Sequence, residues 1–341
     1  MNDTRPLDPT AELIGKIVAY RTSKCLYAVT ALGIPALLQK GPASVGQLAE
    51  ATGTRPDLLD RIMSHLVAEG VFEARPDGGY AATKLSARLA PDEPGNITSW
   101  VLCELQDAYW RSWDGLLDQL CTGETAFDIV HGQPFFGWLA GSQESSVLFD
   151  ATMRAGSQHV AAPLASEVDV RPGEIAIDVG GGDGTFLAAL LAAQPQAHGI
   201  LFDLARDFDA TAAELRPYLA ESRCQLQHGS FFESIPSGDV LILKRILHDW
   251  PDDKAVEILR RCAAAARPGG RIVVLDLIKQ DGSGKGRSLD VLMMVLLGGR
   301  ERTLAEFVAL FDAAGLRLVG EPRGDGLLSV LTAAPVAEPA R

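Results

Sequence analysis

Three stretches of this chain combine residue types and spacings that can do chemistry. The first is Asp178-Val179-Gly180-Gly181-Gly182-Asp183-Gly184, where a strand-like run breaks into glycines before a helical pattern begins at Thr185. A turn of this kind lets backbone N–H groups and a helix N-terminus approach a ligand closely. Its spacing departs from the dinucleotide fingerprint G-x-G-x-x-G. Gly180 and Gly182 supply the first two glycines, but Thr185 stands at the third position. The second stretch is Lys244-Arg245-Ile246-Leu247-His248-Asp249-Trp250, which offers an imidazole suited to proton transfer near neutral pH. The third, residues 96–166, holds Trp100, Trp110, Trp113 and Trp138, with Phe127, Phe135, Phe136 and Phe149. Aromatics at helical spacing serve as core or as walls for a flat ligand, and the spacing does not separate the two.

The elements that must position these groups follow from periodicity. From Arg171 onward strands alternate with helices, which predicts a doubly wound α/β sheet. Strands are expected at Glu174–Gly180, Gly199–Asp203, Gln225–Gln227, Asp239–Lys244 and Arg271–Ile278. Helices are expected at Thr185–Ala193, Asp207–Ala220, Asp252–Ala266 and Thr303–Ala314. Arg267-Pro268-Gly269-Gly270 reads as a helix stop and turn, and Asp281–Ser288 as a loop. The first hundred residues read as helices with a break at Gly33-Ile34-Pro35. A short helix over Ser44–Ala51 follows, then one from Pro56 to Gly70. A hairpin comes next, Val71-Phe72-Glu73 and Tyr80-Ala81-Ala82 around Asp77-Gly78-Gly79, which makes a winged-helix pattern. The expected domains are 1–95, connecting helices over 96–165, and a catalytic domain over 166–341.

In such a sheet, ligands sit beyond the carboxyl ends of the strands, near the point where strand order reverses. The strand ends collect Gly180 and Gly182, then Asp203, then Ser230 and Phe231, then Lys244 through Trp250, then Asp276. Asp203 is placed to accept hydrogen bonds from ribose hydroxyls, and Phe231 to cover an adenine. The G-x-G-x-G spacing with Asp178 before it is the pattern of S-adenosylmethionine sites. Asp252 and Asp253 fall in the first turn of a helix, where the dipole favours acids, so they read as structural.

Charge and composition limit the alternatives. The net charge of −13 argues against a phosphate-backbone partner, and the helix of the winged-helix pattern that would enter a groove carries Asp57, Asp60 and Glu69. The 5 cysteines form no C-x-x-C pair, so zinc and disulfide frameworks are not expected. The apolar runs Phe186–Ala193 and Val291–Leu297 are too short to span a bilayer. A cytoplasmic protein without membrane or nucleic-acid partners is expected.

With these residues in view, the chain resembles the small-molecule O-methyltransferases of plant phenolic and bacterial natural-product pathways. The matching stretches are Asp178–Gly184, Lys244–Asp253, Arg267–Gly270, Gly298-Gly299-Arg300-Glu301-Arg302-Thr303, and Thr122–Phe127 with His131-Gly132. The resemblance implies a Rossmann-like methyltransferase domain, an N-terminal winged-helix dimerisation domain and a homodimer. It implies S-adenosyl-L-methionine as cofactor, no metal, and an aromatic or polyketide-like acceptor. The implied catalytic set is His248 as general base with Asp276 and Glu301 orienting it. The implied cofactor set is Met153, Ser157, Asp178, Gly180, Gly182, Asp203, Ser230, Phe231, Lys244 and Trp250. Asp249, Asp290 and Met293 match positions beside the acceptor, and Trp113, Phe127, Phe135 and Met294 are further candidates for its walls. Ser230 stands where many relatives carry an aspartate, which weakens the acceptor facing the adenine amino group.

Three other readings compete. A fold relative that binds the same cofactor can hydroxylate or decarboxylate a similar substrate. A dinucleotide oxidoreductase would need the missing third glycine. A winged-helix ligand sensor would need a more basic groove helix.

Overall fold

The computed structural model describes residues 8–204, 213–280, 282–324 and 328–336, except the side chain of residue 159. The chain divides into two compact units, Met1–Trp110 and Arg111–Arg341.

In the first unit, the helices Pro9–Val18, Tyr20–Ala31, Ile34–Gln39, Val45–Thr52 and Pro56–Ala68 surround a small sheet. Gly33 takes a left-handed conformation (φ +68°), and Pro35 falls in the first turn of the next helix. The expected break at Gly33-Ile34-Pro35 is therefore a corner from which the chain restarts as helix. Ser44 closes a capping box with Gln47 and starts Val45–Thr52. The hairpin forms as β2 (Phe72–Ala74) and β3 (Gly79–Ala82). It gains a short third strand, β1 (Ala43–Ser44), which pairs with β3. Val29, Ile34, Leu48, Met63 and Leu66 fill the core beneath. The helix Pro9–Val18 buries no residue in this chain and exposes Leu13, Ile14 and Ile17.

The second unit is built on a seven-stranded sheet, β4 (Ile175–Val179), β5 (His198–Asp203), β6 (Cys224–His228), β7 (Gly238–Lys244), β8 (Ala266–Asp276), β9 (Leu316–Leu318) and β10 (Ser329–Pro335). Its order is β6-β5-β4-β7-β8-β10-β9. The pairs β4/β5, β5/β6, β4/β7 and β7/β8 are parallel, and β10 runs antiparallel to both β8 and β9. The order reverses between β4 and β7, so the crevice lies beyond Val179 and Lys244. Two apolar layers sandwich the sheet. One includes Phe186, Leu190, Ile242 and Leu275; the other includes Ile177, Leu241, Ile258, Val274 and Phe311.

Several boundaries differ from the sequence reading. β8 starts at Ala266, so the expected turn Arg267–Gly270 is a bulge inside the strand. Gly269 has φ +80°, and the register jumps from Gly238↔Ala266 to Val240↔Arg271. The expected loop Asp281–Ser288 ends early, because Gly286 (φ +78°) turns the chain into a helix, Arg287–Leu297; residue 281 lies outside the described residues. Of the expected helix Asp207–Ala220, the segment Arg216–Ala220 is helical, and residues 207–212 lie outside the described residues. The helices Thr185–Ala193, Asp252–Ala265 and Leu304–Ala313 fall within a residue of expectation at each end. Thr303 caps the last of these in a box with Glu306. Among the described residues, no helix is long and apolar enough to cross a membrane.

Candidate active site

The crevice has two corners. The first is built on the glycine turn after β4. Gly180, Gly182 and Gly184 all have positive φ. A Cβ on Gly181 would lie 2.5 Å from Leu201 and 2.6 Å from Asp178, whereas one on Gly182 would meet nothing within 4 Å. The turn is thus crowded behind and open in front. The N–H groups of Gly182 and Leu204 hold the Asp203 carboxylate at the end of β5, each at 2.7 Å. Asp178 is fully buried, and neither of its oxygens has a hydrogen-bond partner among the described residues. Burial pushes its carboxyl up to about 7 against the pull of the nearby Lys244 ammonium. Lys244 is itself drawn down by burial, with Asp178 opposing, and its Nζ donates to Ser157 Oγ at 2.9 Å. Ser157 lies on the long helix Gln143–Glu167, one turn beyond the half-exposed Met153. Arg154, between them, bonds Asp183 at 2.5 Å and ties this helix to the glycine turn. After β6, Ser230 Oγ accepts the Phe232 N–H at 3.2 Å. Phe231 and Phe232 meet Trp250 edge to face, with centroids 6.0 and 4.7 Å away.

The second corner follows β7. His248 sits in one turn of 3₁₀ helix, Leu247–Asp249, and is 4% exposed. Its Nδ1 lies 2.8 Å from Glu301 Oε1 and its Nε2 lies 3.2 Å from Asp249 Oδ1. Burial alone would lower the imidazole. The facing carboxylates Asp249 and Asp276, with the Glu301 hydrogen bond, outweigh it and hold His248 above the ordinary histidine range. Burial pushes Asp249 up to about 6 and raises Asp276 as well. Asp276 Oδ1 accepts the Leu277 N–H, while Asp276 Oδ2 and Glu301 Oε2 are buried without a partner among the described residues. Glu301 sits on a loop whose own N–H donates to Asp290 Oδ1 at 2.9 Å.

The acceptor-side candidates divide. Asp290 spends one oxygen on the Glu301 N–H and the other on Lys279 Nζ at 3.0 Å, so it fastens a loop. Met293 is buried and Met294 half-buried on the same helix, whose end is held by Gln119 Nε2 donating to the Met294 carbonyl. Trp113 is 40% exposed. Phe127 and Phe135 are buried in an aromatic cluster with Trp138, which makes them core in this structure. Sequence reasoning missed Arg154, Lys279 and Arg302. Asp183 and Asp290, which bond the first two, lie 29 and 11 residues away, and Asp252, Trp250 and Leu247, which bond Arg302, lie 50 to 55 residues away, beyond any local pattern.

The first corner suits a group that is cationic and carries a ribose. Its glycine turn is open, one buried carboxylate lies near the Lys244 ammonium, and the Asp203 carboxylate stands at the end of β5 beside the turn. The second corner suits proton transfer, since a histidine held by Glu301 at Nδ1 presents Nε2. His248, Asp276 and Glu301 also bring ligand atoms within 4.8 Å of one another, a spacing that a divalent ion accepts. An ion bound through Nδ1 would have to displace the Glu301 hydrogen bond.

Residues 113–317 match the O-methyltransferase domain family, and residues 16–92 match the O-methyltransferase dimerisation domain. Over 95% of its length the chain is 35% identical to a phenazine O-methyltransferase of Lysobacter antibioticus, covering 96% of that protein. It is 30% identical to an O-methyltransferase from neocarzinostatin biosynthesis, solved in complex with S-adenosylmethionine and 2-hydroxy-5-methyl naphthoic acid. The two superpose with a TM-score of 0.81 over 92% of this chain and 96% of that one. A third relative, at 32% identity over 93% of this chain and 88% of its own length, is the aclacinomycin 10-hydroxylase of Streptomyces purpurascens.

Proposed function

The chain belongs to the O-methyltransferase family, and from that premise we propose that it methylates a hydroxyl of an aromatic or polyketide-like small molecule, with S-adenosylmethionine as cofactor and His248 as general base. The observation that carries this reading is the buried His248–Glu301 pair, 2.8 Å apart, at the sheet end next to the open glycine turn.

S-adenosylmethionine, when bound, supplies a methyl group already activated on a sulfonium. What remains for the chain is to bind, to align and to remove a proton. Gly180 and Gly182 give the cofactor close access to the backbone, and Asp203 accepts its ribose hydroxyls. Asp178 complements its positive charge. Phe231 and Trp250 flank its flat base, and Ser230 faces the amino edge. Met153, Ser157 and Lys244 border the reacting end.

A phenol of ordinary pKa ~10 is mostly neutral at pH 7, so a base helps. His248 removes the proton through Nε2. The acceptor hydroxyl takes the place that Asp249 Oδ1 holds there, and Asp249 shifts to the acceptor's flank with Met293 and Met294. Glu301 keeps Nδ1 protonated, and Asp276 stabilises the imidazolium that forms. Because the free base is the working form and the folded histidine sits above its ordinary range, turnover falls as pH drops through that raised value. Base catalysis is worth ~10²–10⁴-fold, and alignment of oxygen, methyl and sulfur provides the rest.

The unit 1 surface supports a homodimer. Leu13, Ile14 and Ile17 form an apolar stripe on a helix that buries nothing in its own chain, and the dimerisation match begins at residue 16, inside that helix. Sedimentation at micromolar concentration should give twice the chain mass.

The test of the reaction is methyl transfer from isotopically labelled S-adenosylmethionine to a panel of hydroxylated aromatic acids and polycycles. Label in an ether product supports it. Product carrying a new hydroxyl and no label favours hydroxylation, a reading that the hydroxylase relative at 32% identity keeps in view.

A further inference from the structure

The turn that carries His248 and the segment that carries Glu301 are bonded to each other along their backbones. The Arg300 N–H donates to the His248 carbonyl at 2.9 Å. Gly299 lies so close that a Cβ there would come within 2.1 Å of that same carbonyl oxygen. Next to Glu301 stands Arg302, 1% exposed. Its Nη1 donates to the Leu247 carbonyl at 2.7 Å, and its Nη2 to the Trp250 carbonyl at 2.8 Å. Its Nε and Nη2 both reach Asp252 Oδ1, at 3.0 and 2.8 Å. Arg302 therefore grips the His248 turn on both sides, at the residue before the histidine and at the second residue after it.

A buried cation is a poor device for stability alone. An apolar side chain of similar volume would fill the space at less desolvation cost, and the one acid paired with Arg302 has a side chain 55% exposed. An apolar side chain would, however, leave the Leu247 and Trp250 carbonyls without this donor. A lysine would carry the charge but lacks the planar fork that reaches two carbonyls and a carboxylate at once.

We propose that Arg302 is a positioning residue that, anchored by Asp252, fixes the Leu247–Asp249 turn against the Glu301 segment and so sets the His248–Glu301 hydrogen bond. The inference rests on the proposed function in that it treats His248 as the base. It also assigns Asp252, which the sequence reading left to helix-dipole effects, a part in the site.

The test is Arg302→Lys, with Asp252→Asn as a second variant. In cofactor-free protein, proton NMR follows the low-field Nδ1–H signal expected for a short imidazole–carboxylate bond. Arg302→Lys should abolish it, and Asp252→Asn should broaden it. With cofactor and acceptor, kcat should fall roughly 10- to 100-fold in Arg302→Lys, the scale of a misplaced catalytic group. S-adenosylhomocysteine affinity should stay unchanged by calorimetry. The acid limb of the pH profile should move down toward the ordinary histidine range, because a lost Glu301 bond removes one of the influences that raise His248. A kcat loss that leaves the ring signal and acid limb where they are in wild type would overturn the proposal. If Arg302→Lys does not fold, the exposed Asp252→Asn carries the same two readouts. If the wild-type protein transfers no methyl group, the proposed function fails, while the ring signal still decides the role of Arg302.

Discussion

The two corners of the crevice differ in how firmly their central group is held. Around His248 both ring nitrogens and the flanking carbonyls are engaged, with Glu301 on Nδ1, Asp249 on Nε2 and Arg302 on the Leu247 and Trp250 carbonyls, although Asp276 Oδ2 and Glu301 Oε2 stay without partners among the described residues. Among the described residues around the glycine turn, Asp178 keeps two buried oxygens without partners and Gly182 looks onto open space. A proton-transfer group works only when its direction is fixed in advance, so the imidazole ring itself is held at both nitrogens. A corner that must receive a charged ligand keeps capacity unspent, at a cost in stability of the free protein. The contrast separates what the chain does by itself from what it leaves to a bound molecule.

Four perturbations test this contrast, in descending order of effect. His248→Ala should cut turnover by ~10²–10⁴-fold while leaving S-adenosylhomocysteine binding intact, measured by steady-state kinetics and calorimetry in parallel. Wild-type turnover in that variant would show that alignment alone carries the reaction. Gly181→Val strikes the other corner. Its side chain would enter the space held by Leu201 and Asp178, 2.5 and 2.6 Å from the Cβ position. Overpacking of this kind costs ~1–3 kcal/mol, and the expected readout is roughly 10- to 100-fold weaker S-adenosylhomocysteine binding in a protein that still folds.

Asp178→Asn tests the unspent carboxylate by stability. Burial raises Asp178 to about 7, so the folded chain holds a proton that the unfolded chain releases near the ordinary aspartate value of ~3.9. Folded protein then binds more protons across that window, and wild-type stability falls as pH rises through it. Asparagine has no such slope. Between about pH 4 and pH 8 the stability gap should move toward the variant by a few kcal/mol, read from urea midpoints at each pH. A gap independent of pH would mean that Asp178 finds a partner that the free structure does not hold. The smallest effect is expected from exhaustive dialysis against a chelator. The His248, Asp276 and Glu301 atoms fit a divalent ion, yet the reaction proposed for them uses the imidazole as a base. Turnover should be unchanged, and a loss restored by one specific ion would reassign that cluster.

Much of this site was legible because it sits at strand ends. The runs before Gly180, Asp203, Lys244 and Asp276 are apolar and short, so they announce both a strand and the position just past it. The caps Ser44 and Thr303 fall at helix starts, where a hydroxyl followed three residues later by Gln47 or Glu306 marks the spot. What stayed hidden depends on partners far along the chain. Resemblance suggested Asp290 beside the acceptor, but its oxygens are drawn to Lys279 and the Glu301 N–H by folding. Phe127 and Phe135 have the composition of a pocket wall and the burial of a core, and only packing separates the two. The bulge over Arg267–Gly270 looks like a turn because the local backbone is turn-like, while the strand pairing that continues through it comes from β7.

The strand order also has a consequence for biosynthesis. β10, the last strand among the described residues, lies between β8 and β9 and carries the pairing of β8 on that side from Ala333↔Ile272 to Ser329↔Asp276. Until Ser329–Pro335 leaves the ribosome, β8 presents an unpaired edge with a hydrophobic face, and β9 has no strand to join. The nascent chain must therefore emerge past Pro335 before its larger sheet can close, while the first unit is free to fold early. Chains trimmed ahead of Ser329 would lose far more than seven residues' worth of structure, and would aggregate through that open edge.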